Sequence, residues 1–293
     1  MIFCRGAYAK LTSGANMQKP GERGAPADNA RFDDWLASFT GYASQVTRRK
    51  IELWLEQFDS PDRDVAARVL DAVLFIGNEQ IKNQFRGLLK GLDGWDEDPR
   101  KRKGRWFFVA FSTSAGESGD TMLHMFRMAT GMTQRKFNSL FVRPSELIQL
   151  KLTADDTVIL IDDFAGTGKQ ATDAWTDVFS ELLAGEPRTF LMLAAATKQA
   201  MKAVADKTEM ELLCGIILEK RQNFFDATCT YFNGNEKKTV EHYCRKADAK
   251  YPRGSGDSGL LVVLTHRCPN NSLPILHATH RAWRGLFPRA FED

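Results

Sequence analysis

The sequence lacks a surplus of either charge: 40 Lys and Arg stand against 37 Asp and Glu in 293 residues, a formal charge of +3. That balance excludes a protein that coats nucleic acid through charge alone. Cysteine is scarce and odd in number, with Cys4, Cys214, Cys229, Cys244 and Cys268. No disulfide framework is indicated, and a reducing cytoplasm is the expected compartment. Long apolar runs are missing as well. The longest, 106–111 and 190–196, have strand length, far from the roughly 20 residues that cross a bilayer. Residues 1–30 are rich in Gly, Ala, Lys and Arg. They have no continuous apolar stretch of the kind a secretory signal needs and read as a disordered leader. What remains is globular in composition, 43% hydrophobic and 26% charged, enough for one or two domains with full cores.

From residue 32 to 92 the apolar positions recur with helical period, as in Ile51, Trp54, Leu55 and Phe58 and again in Ile81, Phe85, Leu88, Leu89 and Leu92. Ser60-Pro61-Asp62 between them predicts a helix start, with Ser60 as cap and Pro61 at a position that needs no N–H. A polar loop, 93–105, then precedes a change of period. Short apolar runs follow at 106–111, 157–161, 189–195, 212–218 and 260–264, most separated by segments that can be helical. Continuous apolar strands alternating with helices predict an α/β fold: a mainly parallel sheet with helices on both faces. The expected blocks are the leader 1–30, a helical region with its basic loop 31–105, and an α/β domain 106–293. The polar, aromatic and basic segment 224–252 reads as a solvated excursion, with a surface helix ending among 246–250.

The most informative stretch is Val158-Ile159-Leu160-Ile161-Asp162-Asp163-Phe164-Ala165-Gly166-Thr167-Gly168-Lys169-Gln170. A buried strand ends in two carboxylates, and a glycine loop leads into a helix, the place where open α/β sheets present N–H groups to anionic ligands. The stretch fails the P-loop pattern at two positions. Asp163 stands where the first glycine belongs, and Gln170 replaces the hydroxyl residue that would hold magnesium. An acid inside a phosphate cradle repels the nucleotide.

The segment resembles the phosphoribosyl pyrophosphate motif of type I phosphoribosyltransferases, with an apolar strand, two adjacent acids, a short apolar step and Thr-Gly. The resemblance implies that Asp162 and Asp163 are the catalytic pair and hold the ribose hydroxyls. It implies too that Ala165, Gly166, Thr167, Gly168 and Lys169 hold the 5′-phosphate. Carboxylates accept hydrogen bonds from a diol, and loop N–H groups suit a phosphate dianion. Lys169 and Gln170 depart from the family pattern, which continues with Gly and a hydroxyl residue.

An earlier loop, Ser112-Thr113-Ser114-Ala115-Gly116-Glu117-Ser118-Gly119-Asp120, follows the strand at 106–111 and precedes a helix through Met122, Leu123, Met125 and Phe126. Its order before the diacid strand matches the pyrophosphate loop of the same family, so Ser112, Ser114, Gly116, Ser118 and Gly119 are expected to bind substrate. Mg²⁺ is the expected cofactor, held mainly by substrate oxygens, since the motif supplies no direct metal set. His124 and the Met122, Met125 and Met128 stripe read as packed core.

The C-terminal segment Gly259-Leu260-Leu261-Val262-Val263-Leu264-Thr265-His266-Arg267-Cys268-Pro269-Asn270-Asn271-Ser272-Leu273-Pro274, with Trp283 and Leu286-Phe287-Pro288-Arg289, is similar to a narrower group, the phosphoribosyltransferase-like proteins of bacterial conflict and anti-phage loci. That resemblance runs from about residue 32 to 289 and implies a defence role as effector or regulator, with a neighbour-encoded partner protein. Asn270 and Asn271 either make a turn or bind a base or sugar edge. Two functions follow. One is an enzyme that transfers or hydrolyses the phosphoribosyl group of phosphoribosyl pyrophosphate or a related nucleotide. The other is an inactive sensor of the same ligand that regulates a partner. Membrane association is not expected, and the basic runs 101–105 and 237–250 read as solvated faces rather than a nucleic-acid surface.

Overall fold

The structure, a computed structural model, describes residues 19–22, 28–112 and 118–289. The disordered-leader reading therefore lies outside the described residues except at 19–22 and 28–30. There, the Gly21 N–H donates to Asp71 Oδ2 at 2.7 Å, and α1 (Asn29–Ser38) already begins at Asn29.

In chain order α1 is followed by α2 (Arg48–Glu56), α3 (Arg63–Asp71) and β1 (Leu74–Ile76). Next come α4 (Asn78–Lys90), β2 (Trp106–Ala110), α5 (Ser118–Ala129), β3 (Thr157–Ala165) and α6 (Lys169–Ala174). A π-helical turn (Trp175–Phe179) continues α6 into α7 (Ser180–Leu182). The chain goes on through β4 (Arg188–Thr197), α8 (Lys198–Lys207), β5 (Glu211–Leu218), α9 (Gly234–Ala247), β6 (Val262–Leu264) and α10 (Pro274–His277). It ends in the hairpin of β7 (Thr279–His280) and β8 (Trp283–Arg284). Among the described residues no helix is long and apolar enough to cross a membrane.

The contacts divide the chain into two compact units: Glu79–Leu218, and the described residues up to Asn78 together with those from Glu219 onward. These units cut across the blocks 31–105 and 106–293. Helix α4 lies with the central residues, and the C-terminal segment lies with the first three helices.

The central unit is built on a four-stranded sheet of order β2-β3-β4-β5, parallel throughout. Its inner strands are continuous apolar runs because both faces are covered. Val158, Ile159, Leu160 and Ile161 have no exposed surface, and burying each side chain contributes roughly 1.5–3 kcal/mol. On one face Val158, Leu160, Leu191 and Leu193 pack with Ala171, Trp175, Phe179, Ala200 and Val204 from α6, the π turn and α8. On the other, the Phe108 ring stands 4.8 Å from that of Phe126 in α5, and Phe126 lies 5.8 Å from Phe85 in α4. The α/β architecture with helices on both faces is thus the observed one.

The terminal unit pairs β1 with β6 in parallel, Leu74 opposite Val262 and Ile76 opposite Leu264. Strand β1 interrupts what the periodicity presents as an all-helical stretch, and the run at 260–264 supplies this small sheet rather than the larger one. One core joins Phe32, Trp35, Ile51, Trp54 and Phe58 of the N-terminal helices to Phe224, Phe232, Val240, Tyr243, Phe287 and Trp283. The N-terminal helices are therefore half of a core and not an appendage. The segment 224–252 is not a solvated excursion: Val240, Tyr243 and Cys244 of α9 are fully buried. Helix α9 ends at Ala247, its last turn carrying Arg245 and Lys246.

Three smaller expectations need correction. Ser60 opens a 3-10 turn (Ser60–Asp62) into α3, but this turn has no side-chain cap. His124 is exposed, on the solvent side of α5. Of the methionine stripe only Met122 is core; Met128 is 53% exposed.

Candidate functional site

Strand β3 outlasts its neighbour on one side. Strand β2 stops where Ala110 pairs with Ile161, whereas β4 accompanies β3 through Ala165, opposite Ala196. Asp162 and Asp163 are therefore held in sheet geometry, beyond the end of β2. Asp162 is buried and Asp163 half-buried.

The buried carboxyl is anchored by two donors on one oxygen. Ser118 Oγ donates to Asp162 Oδ1 at 2.6 Å, and the Asp163 N–H donates to the same oxygen at 2.8 Å. Burial pushes the Asp162 carboxyl well above the usual carboxylate range, the adjacent Asp163 charge adds to the rise, and the Ser118 hydrogen bond opposes it. Ser118 is the first residue of α5, and Gly119 explains how that helix comes so near. A Cβ on Gly119 would stand 2.9 Å from the Phe111 carbonyl oxygen and 3.1 Å from its nitrogen. Only a glycine lets the first turn of α5 rest on the end of β2.

The glycine loop is fixed from the opposite side. Thr197, which ends β4 and caps α8 by accepting from the Ala200 N–H at 3.0 Å, donates its hydroxyl to the Gly166 carbonyl. Gly168 has φ +79°, and a Cβ there would stand 2.8 Å from Ala203 Cβ and 3.1 Å from the α8 backbone at Ala200. The N–H groups of Gly166, Thr167 and Gly168 donate to no described residue. Three adjacent donors without a partner among the described residues are suited to an anion. Thr197 was not singled out from sequence, although a threonine between an apolar strand and a helix carries a cap signal.

The structure brings Asp162, Asp163, Ser118, Gly119 and the 165–169 loop into the one unit, around the C-terminal end of β3. Ser112 leaves β2 half-buried; Ser114 and Gly116 lie outside the described residues. Lys169 is exposed, and its ammonium pairs with Asp173 one turn on. Asn270 and Asn271 belong to the terminal unit. The Asn271 amide donates to the Ser255 carbonyl at 2.9 Å and to Ser258 Oγ at 3.1 Å, while its own carbonyl accepts from the Leu260 N–H. Asn270 receives the Ser255 N–H on its carbonyl. These contacts are those of a structural turn, and the amide of Asn271 is spent on it.

Among the described residues no three His, Cys, Asp or Glu side chains converge. Of the diacid only Asp163 is partly open, which suits a Mg²⁺ whose shell is completed mainly by substrate phosphates and water.

A protein-family model described as PRTase-CE matches residues 51–289. No curated protein matches the sequence.

Proposed function

The chain belongs to the PRTase-CE family, so it is a phosphoribosyltransferase-like protein, and from that premise we propose that it binds phosphoribosyl pyrophosphate or a related nucleotide and transfers or hydrolyses the phosphoribosyl group. The observation that carries the reading is the diacid at the end of β3, with one carboxyl clamped by Ser118 and the next half-exposed beside three N–H groups that have no described partner.

In this reading Asp163 accepts hydrogen bonds from the ribose hydroxyls, and the buried Asp162 holds Asp163 and the sugar in register. The N–H groups of Gly166, Thr167 and Gly168 receive the 5′-phosphate. Cleaving the C1–oxygen bond builds positive charge on the ribose and negative charge on the departing pyrophosphate. Carboxylates under the sugar stabilise the first, and the serine- and glycine-rich sequence 112–119 is the stretch that the family resemblance assigns to the second. A bound Mg²⁺ would supply charge neutralisation of the pyrophosphate. The tail similarity supports a role as an effector in bacterial anti-phage defence, with the cytoplasm as the compartment.

A second reading, a sensor without turnover that controls a neighbour-encoded protein, is favoured by one observation. Lys169, the cation nearest the loop in sequence, is committed to Asp173. Calorimetric titration of phosphoribosyl pyrophosphate with Mg²⁺, beside an assay for released pyrophosphate, separates the two. Binding and release that are both lost in Asp163→Asn support the enzyme. Binding without release selects the sensor, and equal behaviour of wild type and variant overturns both.

A further inference from the structure

The terminal unit contains a cavity of about 510 Å³ between α2 and the β7–β8 hairpin, within the ~300–1,000 Å³ range of small-molecule sites. Its walls are held by specific bonds. The Gln57 side chain grips the backbone of Arg284 at both ends, accepting from its N–H at 2.7 Å and donating to its carbonyl at 2.9 Å. Trp54 donates from Nε1 to the Ile275 carbonyl at 2.7 Å, and Tyr42 donates from its hydroxyl to the Pro288 carbonyl at 2.7 Å. A helix, a hairpin and the segment after it are thereby kept apart at a set spacing, so the cavity is preformed.

The lining has a definite chemistry. Leu53, 43% exposed, and Pro288 supply apolar surface, with the buried Trp54 and Leu286 behind them. Two cations, Lys50 and Arg284, line it, and among the described residues no carboxylate does. Lys50 Nζ donates to Ser44 Oγ at 3.2 Å and to the Gln45 carbonyl at 2.8 Å, leaving one of its three N–H groups. The Arg284 guanidinium bonds to no described residue; only its backbone is engaged. Thr279 is also in the lining.

The geometry points to a second ligand site here, separate from the diacid loop, that takes a small organic anion with a flat apolar body, such as an aromatic carboxylate or sulfonate. The body lies against Leu53 and Pro288, and the anionic group meets Arg284 and Lys50. Guanidinium matches such groups with paired hydrogen bonds, and no carboxylate among the described lining residues opposes them.

The test is a fluorescence titration of the full chain with anilinonaphthalene sulfonate, in wild type, Arg284→Ala, Leu53→Asp and Arg281→Ala. Arg281 is exposed and outside the lining, so its variant removes the same charge and leaves the cavity intact. Saturable binding of one equivalent is expected in wild type and Arg281→Ala. A dissociation constant raised about tenfold or more is expected in Arg284→Ala, the loss of one charge-assisted hydrogen-bonding group. Leu53→Asp weakens binding by placing a carboxylate at the lip. Absent saturation, equal weakening by the two arginine variants, or displacement of the probe by phosphoribosyl pyrophosphate would each overturn the assignment.

Discussion

The hydroxyl of Ser118 donates a 2.6 Å hydrogen bond to Oδ1 of Asp162, tying the first turn of α5 to the buried carboxyl of β3. One bond thus couples the start of α5 to the diacid. Because that bond favours the ionised form of Asp162, Ser118→Ala raises the Asp162 pKa further, and carbon-detected NMR of the Asp carboxyls is expected to follow the rise. If the proposed function holds, the acid limb of phosphoribosyl pyrophosphate binding moves to higher pH with it. An unmoved Asp162 titration would mean that the hydroxyl only fills space.

Asp162→Asn separates stability from binding. The folded carboxyl titrates above its ordinary value of 3.8, so the folded state holds its proton longer than the unfolded chain does. The stability this confers is complete below the unfolded pKa and is lost as pH rises through the folded one. Asn keeps an oxygen for the Ser118 hydroxyl and the Asp163 N–H and carries no charge. The melting temperature of the variant relative to wild type therefore climbs as pH is raised from about 4 to 8, while ligand binding falls. A difference independent of pH would refute the burial argument.

Gly119→Ala tests the close approach of α5. The added methyl meets the Phe111 backbone at 2.9–3.1 Å, and backbone cannot rotate away as a side chain can. A loss of about 1–3 kcal/mol in denaturant unfolding is expected, together with loss of the Ser118–Asp162 bond. Unchanged stability would mean that the helix start shifts freely.

In the terminal unit Arg68 is 4% exposed, donates to Glu236 at 2.5 Å and to the Tyr231 carbonyl at 2.6 Å, and lies over the Phe232 ring. Removing one partner leaves a buried charge. Glu236→Ala is expected to cost about 3 kcal/mol in urea unfolding, and a cost under about 1 kcal/mol would place the pair among solvent-screened surface bridges.

Arg105 grips Asp156 with two bonds, 2.7 Å from Nε and 2.6 Å from a terminal nitrogen. The Arg105 hydrogen bonds hold the Asp156 carboxyl below its usual range. The stability from this depressed pKa is present above the unfolded carboxylate pKa and is lost as pH falls through the folded one. Arg105 is half exposed, so Arg105→Ala costs only about 1 kcal/mol at neutral pH after screening. The wild-type advantage then shrinks in acid unfolding below about pH 4; an advantage that persists there would contradict the ionic origin.

Much of the central sheet was legible because a strand buried on both faces has to be a continuous apolar run, as Val158-Ile159-Leu160-Ile161 is. Strand β1 was not legible. Leu74-Phe75-Ile76 is three residues between helices, too short for period to distinguish a strand from a helical turn. The burial of α9 was hidden for another reason: Val240, Tyr243 and Cys244 are interspersed with Lys and Arg, and what covers them, α3 and the C-terminal residues, is distant in sequence.

The candidate site divides along the same line. Local chemistry alone determined that two acids end a buried strand and that a glycine loop follows, since chain direction and side-chain type need no partner to be read. Tertiary structure decided the rest. It buried Asp162 and left Asp163 half open, assigned Ser118 to the carboxyl, locked Gly166 with Thr197, paired Lys169 with Asp173 and spent the Asn271 amide on a turn. Each of those outcomes depends on which segment ends within about 3 Å of another, a distance set by how strands stop and helices pack.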